Sequence, residues 1–211
     1  MRGMRFRRGA ERLMVVGRAV NGWDDTAWRA SDARTWSRRQ RIVSIARSES
    51  AADPIGACPL SWVTRQWQLS RVYNTANSAF WRTAKAVSDP TGRFPESWAS
   101  RLCWSNLYKV APFNGGNPSA KLKQAQLARC VELLRLEVDT FRPRRMLVMT
   151  GLDWFKQFAD ALQLKVERRR GYVEGVARGL GARWVITPHP ERKPEARIAA
   201  AARRALESGR D

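Results

Sequence analysis

The chain holds one histidine, His189, standing between two prolines in Thr187-Pro188-His189-Pro190-Glu191-Arg192. The apolar run Trp184-Val185-Ile186 breaks off just before it, so a buried strand is expected to end there and carry the imidazole at its tip. Proline fixes its own φ and drives the preceding residue toward extended geometry, so Pro188 and Pro190 hold His189 rigidly. Histidine is the side chain whose proton affinity lies nearest neutrality. Taken alone, it is better read as an ordinary loop residue than as a chemical one. Two other places draw notice. Ser105-Asn106 interrupts the apolar run Leu-Cys-Trp-Ser-Asn-Leu-Tyr-Lys-Val of residues 102–110. Burying an unpaired amide costs about 1–3 kcal/mol, so these side chains require partners or a function. The run Leu-Met-Val-Val at 13–16 ends in Gly17-Arg18-Ala19-Val20-Asn21-Gly22-Trp23. A glycine-bearing turn after a buried strand is a usual place for a ligand loop in a parallel sheet.

The scaffold follows from the spacing of apolar residues. Runs at 13–16, 102–110, 146–149 and 183–187 read as buried strands separated by helical periodicity. Trp62, Trp67, Val72, Phe80, Trp81 and Val87 predict a helical stretch to about Ser88, before Pro90, Gly92 and Pro95. Ser119 caps a helix in which Leu122, Leu127, Val131, Leu134, Val138 and Phe141 recur at helical steps until Pro143 stops it. Trp154, Phe155, Phe158 and Leu162 mark a short helix, residues 168–181 suit a hairpin, and residues 194–208 form a last helix. The predicted fold class is α/β: a three-layer α/β/α single domain over residues 12–208 with a central four-stranded, mainly parallel sheet, preceded by a basic arm, 1–11. Ligands bind such sheets at the carboxyl ends of the strands, which puts Asn21, Asn106, Gly151 and His189 along one rim.

Composition narrows the function. Lys and Arg number 39 against 19 Asp and Glu, for a formal net charge of +20. That excess implies a polyanionic partner, nucleic acid first and an anionic membrane surface second, since arginine forks match phosphate oxygens. Cys58, Cys103 and Cys130 form no Cys-x-x-Cys pair and have one histidine to assist them. Neither a zinc site nor an iron–sulfur cluster is therefore expected, and the thiols read as reduced, in a cytoplasmic protein. The apolar run after the basic N-terminus is too short for an export signal or a membrane span. No Gly-x-x-x-x-Gly-Lys-Ser/Thr loop is present, which disfavours a phosphate-transferring enzyme.

In chain order, four features resemble the uracil-DNA glycosylase superfamily across residues 12–206: the strand ending in Gly17-Arg18-Ala19-Val20-Asn21-Gly22; the strand carrying Ser105-Asn106 before Lys109-Val110-Ala111-Pro112; the helix running into Arg142-Pro143 and the strand to Gly151; and the strand ending in His189-Pro190. The resemblance implies a monomeric enzyme without cofactor or metal. It would flip a nucleotide out of duplex DNA and hydrolyse its N-glycosidic bond, because the sugar C1′ and the base edges are shielded within the stack. His189 would donate to the pyrimidine O2, where negative charge develops as the base leaves. Asn106 would read the base edge in a pocket with Gly17 and Ser105, and Trp23, Trp62, Phe80 or Trp81 would stack on the extruded base. Arg192 would fill the gap the base leaves, with Arg18, Lys109 and Lys193 on phosphates. The first loop departs from the family pattern: Ala19 stands where uracil-excising members carry an Asp, Glu or Asn that positions the attacking water. Asn21, Asp24 and Asp25 are the substitutes, with plain solvated loop acids as the competing reading. That loop also lacks a bulky guard against larger pyrimidines, unless Trp23 serves. The implied substrate is a modified pyrimidine, including hypermodified (glucosylated hydroxymethyl) cytosine of phage DNA excised in defence. The alternatives are a uracil-excising repair enzyme and a catalytically inactive basic nucleic-acid-binding module.

Overall fold

The computed structural model describes residues 12–19, 60, 63–64, 74–112 and 116–208. The arm 1–11, the first-loop candidates Asn21, Trp23, Asp24 and Asp25, and also Cys58 and Trp62, lie outside the described residues.

Six strands form one mixed sheet: β1 (Leu13–Ala19), β2 (Leu102–Tyr108), β3 (Arg145–Met149), β4 (Glu167–Arg168), β5 (Gly175–Gly179) and β6 (Ala182–Thr187), in the order β2-β1-β3-β6-β5-β4. The four apolar runs are its parallel part, with β1 between β2 and β3 and β6 beyond β3. The expected four strands become six because the segment read as a hairpin adds to the sheet. β5 folds back antiparallel on β6, and β4 pairs with β5. Both glycines of β5 lie under crossing side chains: a Cβ on Gly175 would meet Val166 Cγ1 at 2.6 Å, and one on Gly179 would collide with Leu164 Cδ2.

Among the described residues four α-helices cover the sheet: α1 (Ala79–Ser88), α2 (Ala120–Phe141), α3 (Leu152–Ala161) and α4 (Glu195–Glu207). Ser119 Oγ accepts the Leu122 N–H at 3.2 Å to start α2, and Arg142 in the left-handed conformation followed by Pro143 ends it. Strand side chains alternate between faces, which sorts the core into two sets. Met14, Val16, Cys103, Met146, Val148 and Ile186 pack with Leu134 and Val138 of α2 and Phe155 and Phe158 of α3. Leu13, Val15, Leu102, Leu147, Met149 and Val185 pack with Trp81 and Val87 of α1 and Ala199, Ala202 and Leu206 of α4. The result is the expected α/β/α layering. Arg82 on α1 forks onto Glu195 at the start of α4, with Nε donating to Oε2 at 2.8 Å. Among the described residues, no helix is long and apolar enough to cross a membrane.

Candidate active-site rim

In this strand order β1 and β3 are neighbours, and the chain continues from β2 and β3 to the helices of one face while α1 lies on the other. The carboxyl ends of β1 and β3 thus flank a topological switch point, where open α/β sheets hold their ligands. Arg18, the penultimate residue of β1, crosses it. Its Nε donates to Thr150 O at 2.9 Å, and its guanidinium lies 5.0 Å from the centre of the Trp154 ring on α3. Gly151 follows with φ 87°, a conformation that favours glycine, and its N–H donates to Thr187 O at 2.9 Å. These bonds stitch the ends of β1, β3 and β6 into one rim. A glycine cannot cap α3, and Glu174 does so instead: its Oε2 accepts the Leu152 N–H at 2.6 Å.

His189 stands at the β6 end of this rim with its side chain 23% exposed. The Glu191 N–H donates to Nδ1 at 3.3 Å. Burial, reinforced by the positive charge of Arg18, pushes the imidazole pKa down to about 4 against the opposing pull of Glu191. The ring is therefore neutral at pH 7. With Nδ1 occupied as an acceptor, the ring proton sits on Nε2 and is free to be donated. The Glu191 carboxylate, 3.9 Å from Nδ1, faces an uncharged ring and forms no ion pair with it.

This depressed pKa has a consequence for stability. Between about pH 6.5 and 4 the unfolded chain binds a proton at His189 that the folded chain does not, so stability is intact above that window and falls as the pH drops through it. The contribution is about 3 kcal/mol across the full window. Urea unfolding at pH 7 and pH 4.5 should show His189→Asn losing about 2 kcal/mol less than the wild type on acidification. Equal losses would rule out a neutral, desolvated imidazole.

At the other end of the rim, Gly17 of β1 lies in register with Asn106 of β2. A Cβ on Gly17 would collide with Asn106 Oδ1 and come within 3.3 Å of Phe80 Cε2. Gly17, Asn106 and Phe80 are thus brought together. Asn106 is 7% exposed, and its side-chain amide has no hydrogen-bond partner among the described residues. An amide open in this way is able both to donate to and to accept from a ligand's polar edge.

Other residues picked from the sequence are placed elsewhere. Ser105 points to the opposite face from Asn106, as strand alternation requires, and its Oγ donates to Glu137 Oε2 of α2 at 2.6 Å. Lys109 Nζ donates to Ser105 Oγ at 2.6 Å and to Glu137 Oε1 at 2.8 Å, so its charge is paired within the protein. Trp81 is 2% exposed against Trp98 and Trp104 in the core, which leaves Phe80 as the described aromatic able to meet a base. Arg192, with φ 56°, and Lys193 are exposed at the turn after His189. Sequence reasoning passed over Glu174 and Trp154. Their signals were a lone acid in a basic stretch and an aromatic three residues after a strand-ending glycine.

Among the described residues no group of three or more His, Cys, Asp or Glu side chains could hold a metal ion. A groove of about 530 Å³ between α2 and α3, lined by Leu127, Val131 and Arg135, shares no residue with the rim. No protein-family model matches the chain, and no curated protein matches it. Its chemistry has to be argued from the rim itself.

Proposed function

We propose that this protein is a monofunctional DNA N-glycosylase that extrudes a modified pyrimidine from duplex DNA and hydrolyses its N-glycosidic bond. The observation that carries the reading is His189, held between prolines at the end of β6 with its Nδ1 accepting the Glu191 N–H, which leaves Nε2 as the donor, and with burial favouring the neutral ring. In the reaction the C1′–N bond breaks and its electron pair passes to the base, with charge appearing on the pyrimidine O2. A fixed Nε2–H donor stabilises that charge without giving up its proton, because the imidazole is uncharged to begin with. Water adds to C1′, its proton balances the departing base, and an abasic site remains. Asn106 supplies an amide that both donates and accepts for the base edge, and Phe80 a ring edge beside it.

The chain's charge of +20 suits the phosphate backbone. Cys103 and Cys130 as buried free thiols suit a reducing cytoplasm. The substrate is a pyrimidine larger than uracil, including glucosylated hydroxymethylcytosine of phage DNA. The test is incubation of the purified protein with duplexes holding uracil, 5-hydroxymethylcytosine or its glucosylated form, followed by alkali. Strand cleavage at the modified base supports the reading, and uracil as the preferred base would make this a repair enzyme. Tight DNA binding with no abasic site on any substrate would replace the enzyme with a binding module.

A further inference from the structure

The geometry points to Arg18, Lys123 and Trp154 as a built subsite for one phosphodiester of the DNA strand, beside the extruded nucleotide. Arg18 and Lys123 come from distant parts of the chain, yet both stand over the ring of Trp154, at 5.0 and 4.5 Å from its centre. Tyr108 meets the same ring edge-on at 5.8 Å, which fixes its plane. Two like charges against one ring repel each other, and the ring's attraction for each offsets only part of that.

The usual remedy is a carboxylate partner, and neither cation has one. Among the described residues no Asp or Glu lies within ion-pairing distance of Arg18 or Lys123. Glu191 and Glu174 are near enough to favour the charge of Arg18 without forming an ion pair with it, and Glu174 Oε2 is engaged as the cap of α3. Arg18 spends only its Nε, on Thr150 O, and its two terminal amino groups make no hydrogen bond among the described residues. That single bond fixes the guanidinium plane while leaving one edge of the fork to accept an oxyanion. Burial disfavours the charge of Arg18, Glu191 and Glu174 offset part of that from a distance, and an arginine does not discharge, so a directly bonded oxyanion would satisfy the free edge of its fork. Lys123 rides on the first turn of α2, which carries no acidic residue, so the helix N-terminus adds to the positive field. A phosphodiester supplies one negative charge whose unbridged oxygens suit the open edge of Arg18, with Lys123 adding positive field from the same ring.

The location selects the ligand. Arg18 crosses the switch point of the sheet and lies close enough to His189 to lower its pKa. A phosphate held there belongs to the nucleotide at the rim or its immediate neighbour. The inference rests on the DNA-binding part of the proposed function and not on excision.

The experiment uses an unmodified duplex, so that no chemistry is read out. Its dissociation constant is followed by fluorescence anisotropy between 50 and 300 mM salt for the wild type, Arg18→Gln/Lys123→Gln and the charge-matched control Arg135→Gln/Arg168→Gln. Losing one phosphate contact should reduce the slope of log K against log salt by about 0.9. Affinity should fall about tenfold beyond the control. Lys123→Gln alone, at a partly exposed helical position, guards against misfolding of the double variant and should give part of the same loss. Equal slopes and affinities for the double variant and its control would overturn the subsite. Protection of the wild type, but not the double variant, from heat by inorganic phosphate, with DNA affinity unchanged, would also overturn it by assigning the site to a small anion. Excision that survives alongside either result would leave the glycosylase standing. A duplex bound through Arg18 and Lys123 without excision of any modified base would leave the subsite and remove the enzyme.

Discussion

Replacing His189 with Ala should slow base excision by about 10²- to 10³-fold while DNA affinity changes by less than about twofold. The effect belongs in kcat because the pyrimidine O2 carries little charge in the bound substrate and much more as the glycosidic bond breaks. An interaction that strengthens only then lowers the barrier without tightening the ground state. His189→Gln, whose amide N–H can also donate, should recover part of the lost rate. Burial holds the pKa at about 4, so the ring stays neutral from about pH 5.5 upward and contributes no rise in rate near pH 6.5. Single-turnover rates on the best substrate, measured from pH 5.5 to 8.5, check both points. If His189→Ala turns over within about threefold of the wild type, the imidazole is an ordinary loop residue and the proposed mechanism fails.

The parallel strands were legible because a strand buried on both faces reads as an unbroken apolar run, and all four such runs are there. The start and end of α2 were legible from Ser119 and Pro143, since capping and helix breaking are local. The outer strands β4 and β5 were harder. Gly-Val-Ala-Arg-Gly has little strand propensity, and its pairing is decided by the glycine clearances under Val166 and Leu164. The rim was legible in outline and misallotted in detail. Ser105 and Asn106 are adjacent, so only one can face a given side of the sheet, and the sequence does not mark which side carries the ligand. Phe80 and Trp81 pose the same problem on a helix: one turns toward Gly17 and the other into the core. The ion pair of Lys109 depends on Glu137, 28 residues away, and long-range pairing of that kind leaves no local trace.

Asn106→Ala should leave stability unchanged or raise it by up to about 1 kcal/mol, while lowering excision by about 100-fold. The two effects share one cause: the amide makes no hydrogen bond among the described residues, so its loss breaks none there, while in the proposed reaction it is the partner of the base edge. Gly17→Ala should instead destabilise by about 1–3 kcal/mol, because the new methyl must push aside Asn106 Oδ1 with the Phe80 ring 3.3 Å away on its other side. It should also lower excision, since the amide that gives way is the one proposed to read the base. The two substitutions are coupled. In the Asn106→Ala background the first obstacle is gone, so Gly17→Ala should cost about 1–2 kcal/mol less than it does alone, as read by urea denaturation of the four proteins of the cycle. If Asn106→Ala lost more than about 2 kcal/mol, the amide would be holding the fold together and not waiting for a ligand. An equal cost for Gly17→Ala in both backgrounds would place the clash elsewhere. The missing side chain at Gly17 and the amide of Asn106, unpaired among the described residues, are two halves of one slot at the ends of β1 and β2, and the cycle measures that slot directly.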